Sequence, residues 1–461
     1  MKPVCVVSCP IDTFSGYGAR SRDFVKALIK VKGEEWDIKI LPQMWGECPW
    51  NFLDETDPIR QRFIQGLEQN APQPDIWMQV TVPNEFQPVG RYNIGITAGI
   101  ETTVFPSEFI EGLNRMDLNL ISSTHSKEVA LQSSFDKKDK QTNKTIGVLK
   151  AEKPVEVLFE GLDLEKYNKN PQNSGLLNDI SEDFCFLFTG HWLQGNFGED
   201  RKDVATLIKT FLKTFNTPSK KKPALILKTN SVNYSLLDRE NTLKQIHRIK
   251  NLPELQGGNL PNIYLLHGEM TDDEINQLNN DNKVKAFVSF TKGEGYGRPL
   301  AESSITGKPT IVSNWSGHLD FLHPDYNVLI GGDLKNVHES AANQFLLKES
   351  RWFNINVDVA GRAMKDMFKD YKRYLNGSRK QTQYMKDNWT FDKMAEKLND
   401  LLPNIEPKPQ LNNLTLPKLK KMKKNTNELP QLQKINIEGG ESDMNWRGTD
   451  IKLPNLKKIQ I

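Results

Sequence analysis

Residues 291–304 read TKGEGYGRPLAESS, placing Glu294 and Glu302 eight positions apart around Gly293, Gly295 and Gly297. Glycines of this density let a backbone come close to a ligand, and a helix opening just after them offers N–H groups and a favourable dipole to an anion. Pro299 suits the first turn of that helix and Gly307 the position beyond its last turn. Carboxylates repel phosphate, so two of them beside such a loop need hydroxyl groups to bind. Glu302, one turn into the helix, is placed for ribose hydroxyls, and Glu294 for hydroxyls beyond the phosphates. A nucleotide joined to a sugar meets both demands, with Glu302 as a plain helix-capping residue the simpler alternative.

Positive charge has to come from elsewhere in the chain. EDRKDVATL supplies Arg201 and Lys202 at the start of a further helix, where they oppose the dipole unless an anion joins them. Lys228 ends the strand-like ALILK and is a third candidate for a phosphate clamp.

These residues sit in two successive sets of alternating strand-like and helix-like segments, from PVCVVSC to VEVLFEGLD and from FCFLFTG onward, divided by the polar stretch 168–183. Alternation of this kind predicts βαβ units and parallel sheets, whose ligands lie outside the carboxyl ends of the strands. The expected architecture is α/β, with two Rossmann-like lobes, 1–170 and 180–346, facing across a cleft. Residues 347–402 are expected to be helical. DETDPIRQRFIQGLEQ reads as a helix, and KQTQYMKDNWTFDKMAEKLNDLL as one amphipathic helix with Phe391, Met394, Ala395, Leu398 and Leu401 on its apolar face.

Beyond Leu402 the composition changes. LPKLKKM, LPQLQKI and LPNLKKI repeat a leucine–proline–lysine pattern, and 405–461 carries a surplus of +5, leaving −2 for the rest of a chain whose total is +3. A proline-punctuated basic tail (403–461) cannot bury a core and is expected to be disordered. It reads as solvated chain or as sticky motifs for a partner. No stretch approaches the roughly 18–20 apolar residues of a membrane span. The N-terminus has no secretory pattern, and the four cysteines lack metal spacing, so a reduced cytoplasm is expected.

The stretch GEGYGRPLAESSITGKPTIVSNWSG resembles the E-x7-E region of retaining GT-B glycosyltransferases of the family called group 1. Arg201-Lys202 matches the family's Arg/Lys clamp, with Asp203 where the family has glycine. SGYG (15–18) resembles its first-lobe glycine loop, GLDLEKY its interlobe segment and NWTFDKMAEKL its closing helix. The Asn- and Lys-rich composition is similar to members from large phages.

The resemblance implies transfer of a sugar from a UDP- or GDP-sugar, with retention and without a metal or other cofactor. It also implies that 1–170 is the acceptor lobe, that 180–346 is the donor lobe and that 347–402 returns to the first lobe. Arg201, Lys202 and Glu294 would serve the chemistry. Gly16, Gly18, Lys228, Gly295, Tyr296, Gly297, Arg298 and Glu302 would hold the donor, with a tight strand–helix turn the alternative role of Gly16 and Gly18. Tyr17, Glu101 and His125 are acceptor-side or auxiliary candidates, and a capping role is the alternative for His125. The expected acceptor is a glycan or glycoconjugate hydroxyl. Hydroxymethylated pyrimidines in phage DNA, reached in the host cytoplasm through the basic tail, are the second reading, and an inactive nucleotide-sugar-binding protein the third.

Overall fold

A computed structural model describes residues 2–67, 72–139, 142, 144–170 and 175–406. The repeats of the basic tail lie outside the described residues.

The first lobe contains β1 (Val4–Cys9), α1 (Gly16–Lys32), β2 (Asp37–Pro42), β3 (Ile76–Val80), β4 (Tyr92–Thr97), α2 (Ser107–Arg115), β5 (Leu118–Ile121) and α3 (Thr124–Gln132). An antiparallel hairpin follows, β6 (Ser134–Lys138) and β7 (Thr145–Lys150), and then β8 (Val155–Val157). The main sheet has the order β2-β1-β3-β4-β5-β8, every neighbouring pair parallel.

The second lobe comprises β9 (Cys185–Thr189), α4 (Val204–Phe215), β10 (Ala224–Lys228), α5 (Leu236–Lys250), β11 (Ile263–Leu266), α6 (Asp272–Asn280), β12 (Val284–Ser289), α7 (Arg298–Ser304), β13 (Thr310–Ser313) and β14 (Val328–Ile330). Its order is β11-β10-β9-β12-β13-β14, again parallel throughout. Every residue of β10 is buried, which is why ALILK is a continuous apolar run rather than an alternating one. In this order the chain reverses direction across the sheet between β9 and β12, and the crevice at their carboxyl ends is where such sheets bind ligands.

The segment 347–402 is not purely helical, contrary to expectation, because it opens on a strand. β15 (Gly332–Asn336) and β16 (Arg351–Ile355) pair antiparallel, and Trp352 is fully buried in the second of them. Helices α8 (Val357–Lys369), α9 (Tyr371–Asn388) and α10 (Phe391–Leu401) follow. The long amphipathic segment is two helices, because the backbone of Leu162 in the interlobe segment bonds to Trp389 O and receives Phe391 N, both at 2.9 Å. Thr390 then caps α10 through Lys393 N. Met394, Ala395 and Leu398 are buried as the periodicity required, and Lys30 of α1 meets Asp392 at 2.7 Å.

DETDPIRQRFIQGLEQ is likewise not an α-helix where it is described. Only Pro58–Arg62 forms a short 3-10 turn, capped by Asp57. Beyond it the chain runs along the edge of the sheet, with Ile64 N bonded to Ile40 O at 2.8 Å. A free sheet edge satisfies this backbone, and helix propensity yields to it.

Candidate active site

The loop after β12 and the segment after β9 meet at the reversal point. Glu294 accepts from Lys202 Nζ at 2.6 Å through Oε1 and pairs with Arg201 at 3.2 Å through Oε2. Arg201 also donates to Gly293 O at 2.9 Å and reaches Glu101 Oε1, at the carboxyl end of β4 in the first lobe, at 3.4 Å. Three sequence-derived catalytic candidates and one acceptor-side candidate therefore form one cluster. Burial alone would raise the Glu294 carboxyl, but Lys202 and Arg201 outweigh it and bring it down to about 2. Burial depresses Lys202, while its bond to Glu294 opposes that.

The glycines of the loop answer to the first lobe. A Cβ on Gly293 would lie 2.0 Å from Glu101 O, and one on Gly295 2.3 Å from Ala98 O. Gly297 has φ +104 and caps α7. Gly293 and Gly295 thus let the two lobes touch. Tyr296, expected at the donor, is buried against Phe321 at a centroid distance of 4.9 Å.

Arg298 and Glu302 belong to a second cluster. Arg298 pairs with Asp23 of α1 at 2.7 Å, with Glu160 at 3.2 Å and with Glu302 at 3.6 Å, while Arg20 reaches Glu160 at 3.4 Å. Burial raises Glu302 to about 7, Arg298 opposes this, and Asp272 and Asp23 add to it.

Gly16, Tyr17 and Gly18 form the first turn of α1, capped by Ser15. Gly16 is open, whereas a Cβ on Gly18 would strike Thr13 O at 2.2 Å, so Gly18 serves a tight strand–helix turn. Tyr17 Oη lies 3.0 Å from Thr97 Oγ1 and accepts from Ala98 N at 3.2 Å, which ties it to the strand end facing Gly295. Lys228 ends β10 and donates to Gly268 O at 2.6 Å, away from the glutamate cluster's own bonds. His125 lies edge-on to Trp315, and burial with nearby His318 lowers it to about 4.

Sequence reasoning missed several supporting groups. Lys292 is fully buried and pairs with Asp203 Oδ2 at 3.3 Å. Asp203, standing where the resembling family has glycine, adopts φ +52, a left-handed conformation natural to glycine and tolerated by aspartate. The resulting turn presents Arg201 and Lys202, and Lys292 N bonds to Arg201 O at 2.7 Å. Ser316 accepts from Glu294 N at 2.9 Å, fixing the loop from β13's side. A lysine inside TKGEG, next to an apolar strand, was the legible sign of Lys292; Asp23 and Glu160 carried none. His191 lies beside the clamp, and burial of its ring, with Lys202, Arg201 and Lys228 nearby, lowers it to about 4. Among the described residues no group of three or more His, Cys, Asp or Glu is arranged to hold a metal, and no helix is long and apolar enough to cross a membrane.

No family model and no curated protein matches the sequence. Solved structures do match in shape. HepE of Anabaena, solved with UDP and glucose, superposes with TM-score 0.56 over 86% of this chain and 98% of its own, at 12% identity. A glycosyltransferase of Rickettsia africae gives TM-score 0.57 over 87% and 97% at 12% identity. Sucrose-phosphate synthase of Thermosynechococcus elongatus gives 0.54 over 87% and 98% at 9% identity. At such identities the likeness is one of architecture: the chain has the GT-B fold, two parallel α/β lobes facing across a cleft.

Proposed function

We propose that the chain is a retaining glycosyltransferase that moves a sugar from a nucleoside-diphosphate sugar to the hydroxyl of a glycan or glycoconjugate, with no metal required. The observation that carries this reading is the meeting of Arg201, Lys202 and Glu294 at the reversal point of the second sheet, with Glu101 of the first lobe closing on them. HepE was solved with UDP-glucose as well as with UDP, which makes UDP-glucose the first donor to test here.

In this reading the donor diphosphate lies against Arg201, Lys202 and the backbone of Gly295–Arg298. As the anomeric C–O bond breaks, its electrons pass to the diphosphate, where two fixed cations in a water-poor site stabilise them. The acceptor oxygen attacks from the same face, and its proton passes to the departing phosphate oxygen. Glu294 is a poor covalent nucleophile, since two cations hold its electron pairs and keep its carboxyl near 2. Its role is to position those cations and to receive sugar hydroxyls. Closure of the lobes keeps water, the competing acceptor, out.

The tail surplus of +5 favours one alternative acceptor, hydroxymethylated pyrimidines in DNA. One assay separates the readings: UDP-, GDP- and ADP-sugars are incubated with the full chain, with and without hydroxymethylcytosine-containing DNA, and nucleotide release is followed. Slow release from one donor, indifferent to DNA, is expected. Release accelerated by DNA with a sugar-sized mass gain on the base would replace the glycan reading, and no release from any donor would leave a binding protein.

A further inference from the structure

On the first lobe, beside the cleft, the loop 43–57 carries aromatic residues that the transfer chemistry above does not use. Trp45 stacks on Tyr17 at a centroid distance of 4.1 Å and an angle of 26°. Phe14, 42% exposed, meets Phe52 edge-on at 5.0 Å, and Trp50 pairs through its backbone with Thr13. Met44 is 66% exposed next to Trp45. A cluster of large apolar groups held at a surface marks a place where something binds.

The platform is fixed from below. Asp12, fully buried, accepts from Leu53 N at 2.8 Å and pairs with Arg60 at 3.0 Å, while Phe52 N bonds to Asp12 O and Phe14 N to Pro49 O, both at 3.0 Å. It is also continuous with the transfer site, because Tyr17 holds Ala98 N and the carbonyl of Ala98 faces Gly295. In the second lobe the loop after β10 exposes Val232, and the first turn of α5 exposes Leu236 and Leu237.

Charge decides what fits. Sugar rings and nucleobases both stack on aromatic faces, but a nucleic acid also brings phosphates, which need lysines or arginines along their track. The stretch 43–57 contains Glu47, Asp54, Glu55 and Asp57 and neither lysine nor arginine. Arg22, beneath Phe52, is buried and donates to Ile11 O and Thr13 O at 2.9 Å, so it offers nothing outward.

We infer that the platform of Trp45, Phe14, Phe52 and Trp50 is the acceptor subsite, and that it takes an uncharged carbohydrate stacked by its C–H face on the rings. This rests on the glycosyltransferase reading and names its acceptor class.

The full chain is supplied with the nucleotide sugar that it hydrolyses in water and with an array of immobilised neutral oligosaccharides, sialylated and sulfated oligosaccharides, and hydroxymethylcytosine-containing oligonucleotides. Label is expected on neutral oligosaccharides. Trp45→Ala and Phe14→Ala are each expected to raise the acceptor KM about tenfold with kcat changed less than about twofold, and Trp45→Phe to recover most of the loss. Phe14→Ala leaves the Trp45–Tyr17 stack intact, so it stands if Trp45→Ala does not fold. Donor hydrolysis with label only on anionic oligosaccharides or DNA, or on nothing, overturns the subsite while leaving the transferase reading in place. So does an acceptor KM that moves in neither variant. A chain that consumes no donor fails at the earlier reading, and the subsite falls with it.

Discussion

Arg298 of the second lobe and Asp23 of the first are joined at 2.7 Å, and the same guanidinium reaches Glu160. One side chain at the start of α7 therefore ties the second lobe both to α1 of the first and to the residue just before the interlobe segment. Gly293 and Gly295 remove the side chains that would keep the lobes apart. Contact and latch together define a closed arrangement.

Arg298→Ala should release that latch. Both partners are largely buried, so about 2 kcal/mol of stability is expected to go with it. The radius of gyration measured by small-angle scattering should rise. Asp23→Asn should act in the same direction with a smaller effect. Scattering profiles identical to the parent in both variants would remove the latch from this account.

Glu302 gives the cluster a pH signature. Its carboxyl rises from 4.5 to about 7 on folding, first because it is buried. A raised acid contributes stability that is fully present below its unfolded value and is lost as pH climbs through the folded one. Wild-type protein therefore loses this contribution between those two values, whereas Glu302→Gln, always neutral, does not. The variant's melting temperature minus the wild type's should grow more positive from about pH 4.5 to about pH 7 and then level off. The comparison must be between variants, because His125 and His191, both lowered to about 4, push the whole-protein profile the other way. A difference that grows toward acid would refute the assignment.

The parallel sheets and the Arg201–Lys202–Glu294 meeting point were legible because they rest on local signals: apolar runs, glycine density, and charged residues at strand ends. What was not legible is what distant segments do to one another. Leu162 breaks a helix more than two hundred residues away, and the edge of β2 claims a segment whose own pattern is helical. The same holds at the site. Glu294 and Glu302 look equivalent in sequence, yet one is held ionised by two cations and the other is raised in a carboxylate-rich cluster. For Glu302 that environment includes Asp23 and Asp272, residues that no spacing rule connects to the loop. Gly293 and Gly295 also make room within the protein itself, for the carbonyls of Glu101 and Ala98, which no local pattern announces.

Asp203 and Lys292 pose a question of sign. Asp203→Gly would relieve a left-handed φ of +52 and restore the residue found in the resembling family. It would also leave Lys292, fully buried, without its carboxylate partner. An orphaned buried charge costs more than one strained residue, so the single change should destabilise by about 3 kcal/mol. Adding Lys292→Met should recover most of that loss, because the orphan is then gone. Chemical denaturation of the two single variants and the double closes the cycle. A stabilising Asp203→Gly would mean that backbone strain, and not the ion pair, governs this turn.

Glu294 separates binding from transfer. In the structure its carboxylate occupies both cations that the proposed diphosphate needs, at 2.6 Å and 3.2 Å. Bound donor must therefore share Lys202 and Arg201 with it. Glu294→Gln keeps the shape and removes the competing charge, so UDP should bind several-fold more tightly by calorimetry. Transfer should fall by about a hundredfold or more, because Gln holds neither the cations nor the sugar hydroxyls in place. The opposite movement of the two quantities is the distinguishing sign, since a merely damaged fold would weaken both. If UDP binding weakens along with turnover, Glu294 supports the clamp more than it competes with the phosphates, and the cation sharing inferred here is wrong.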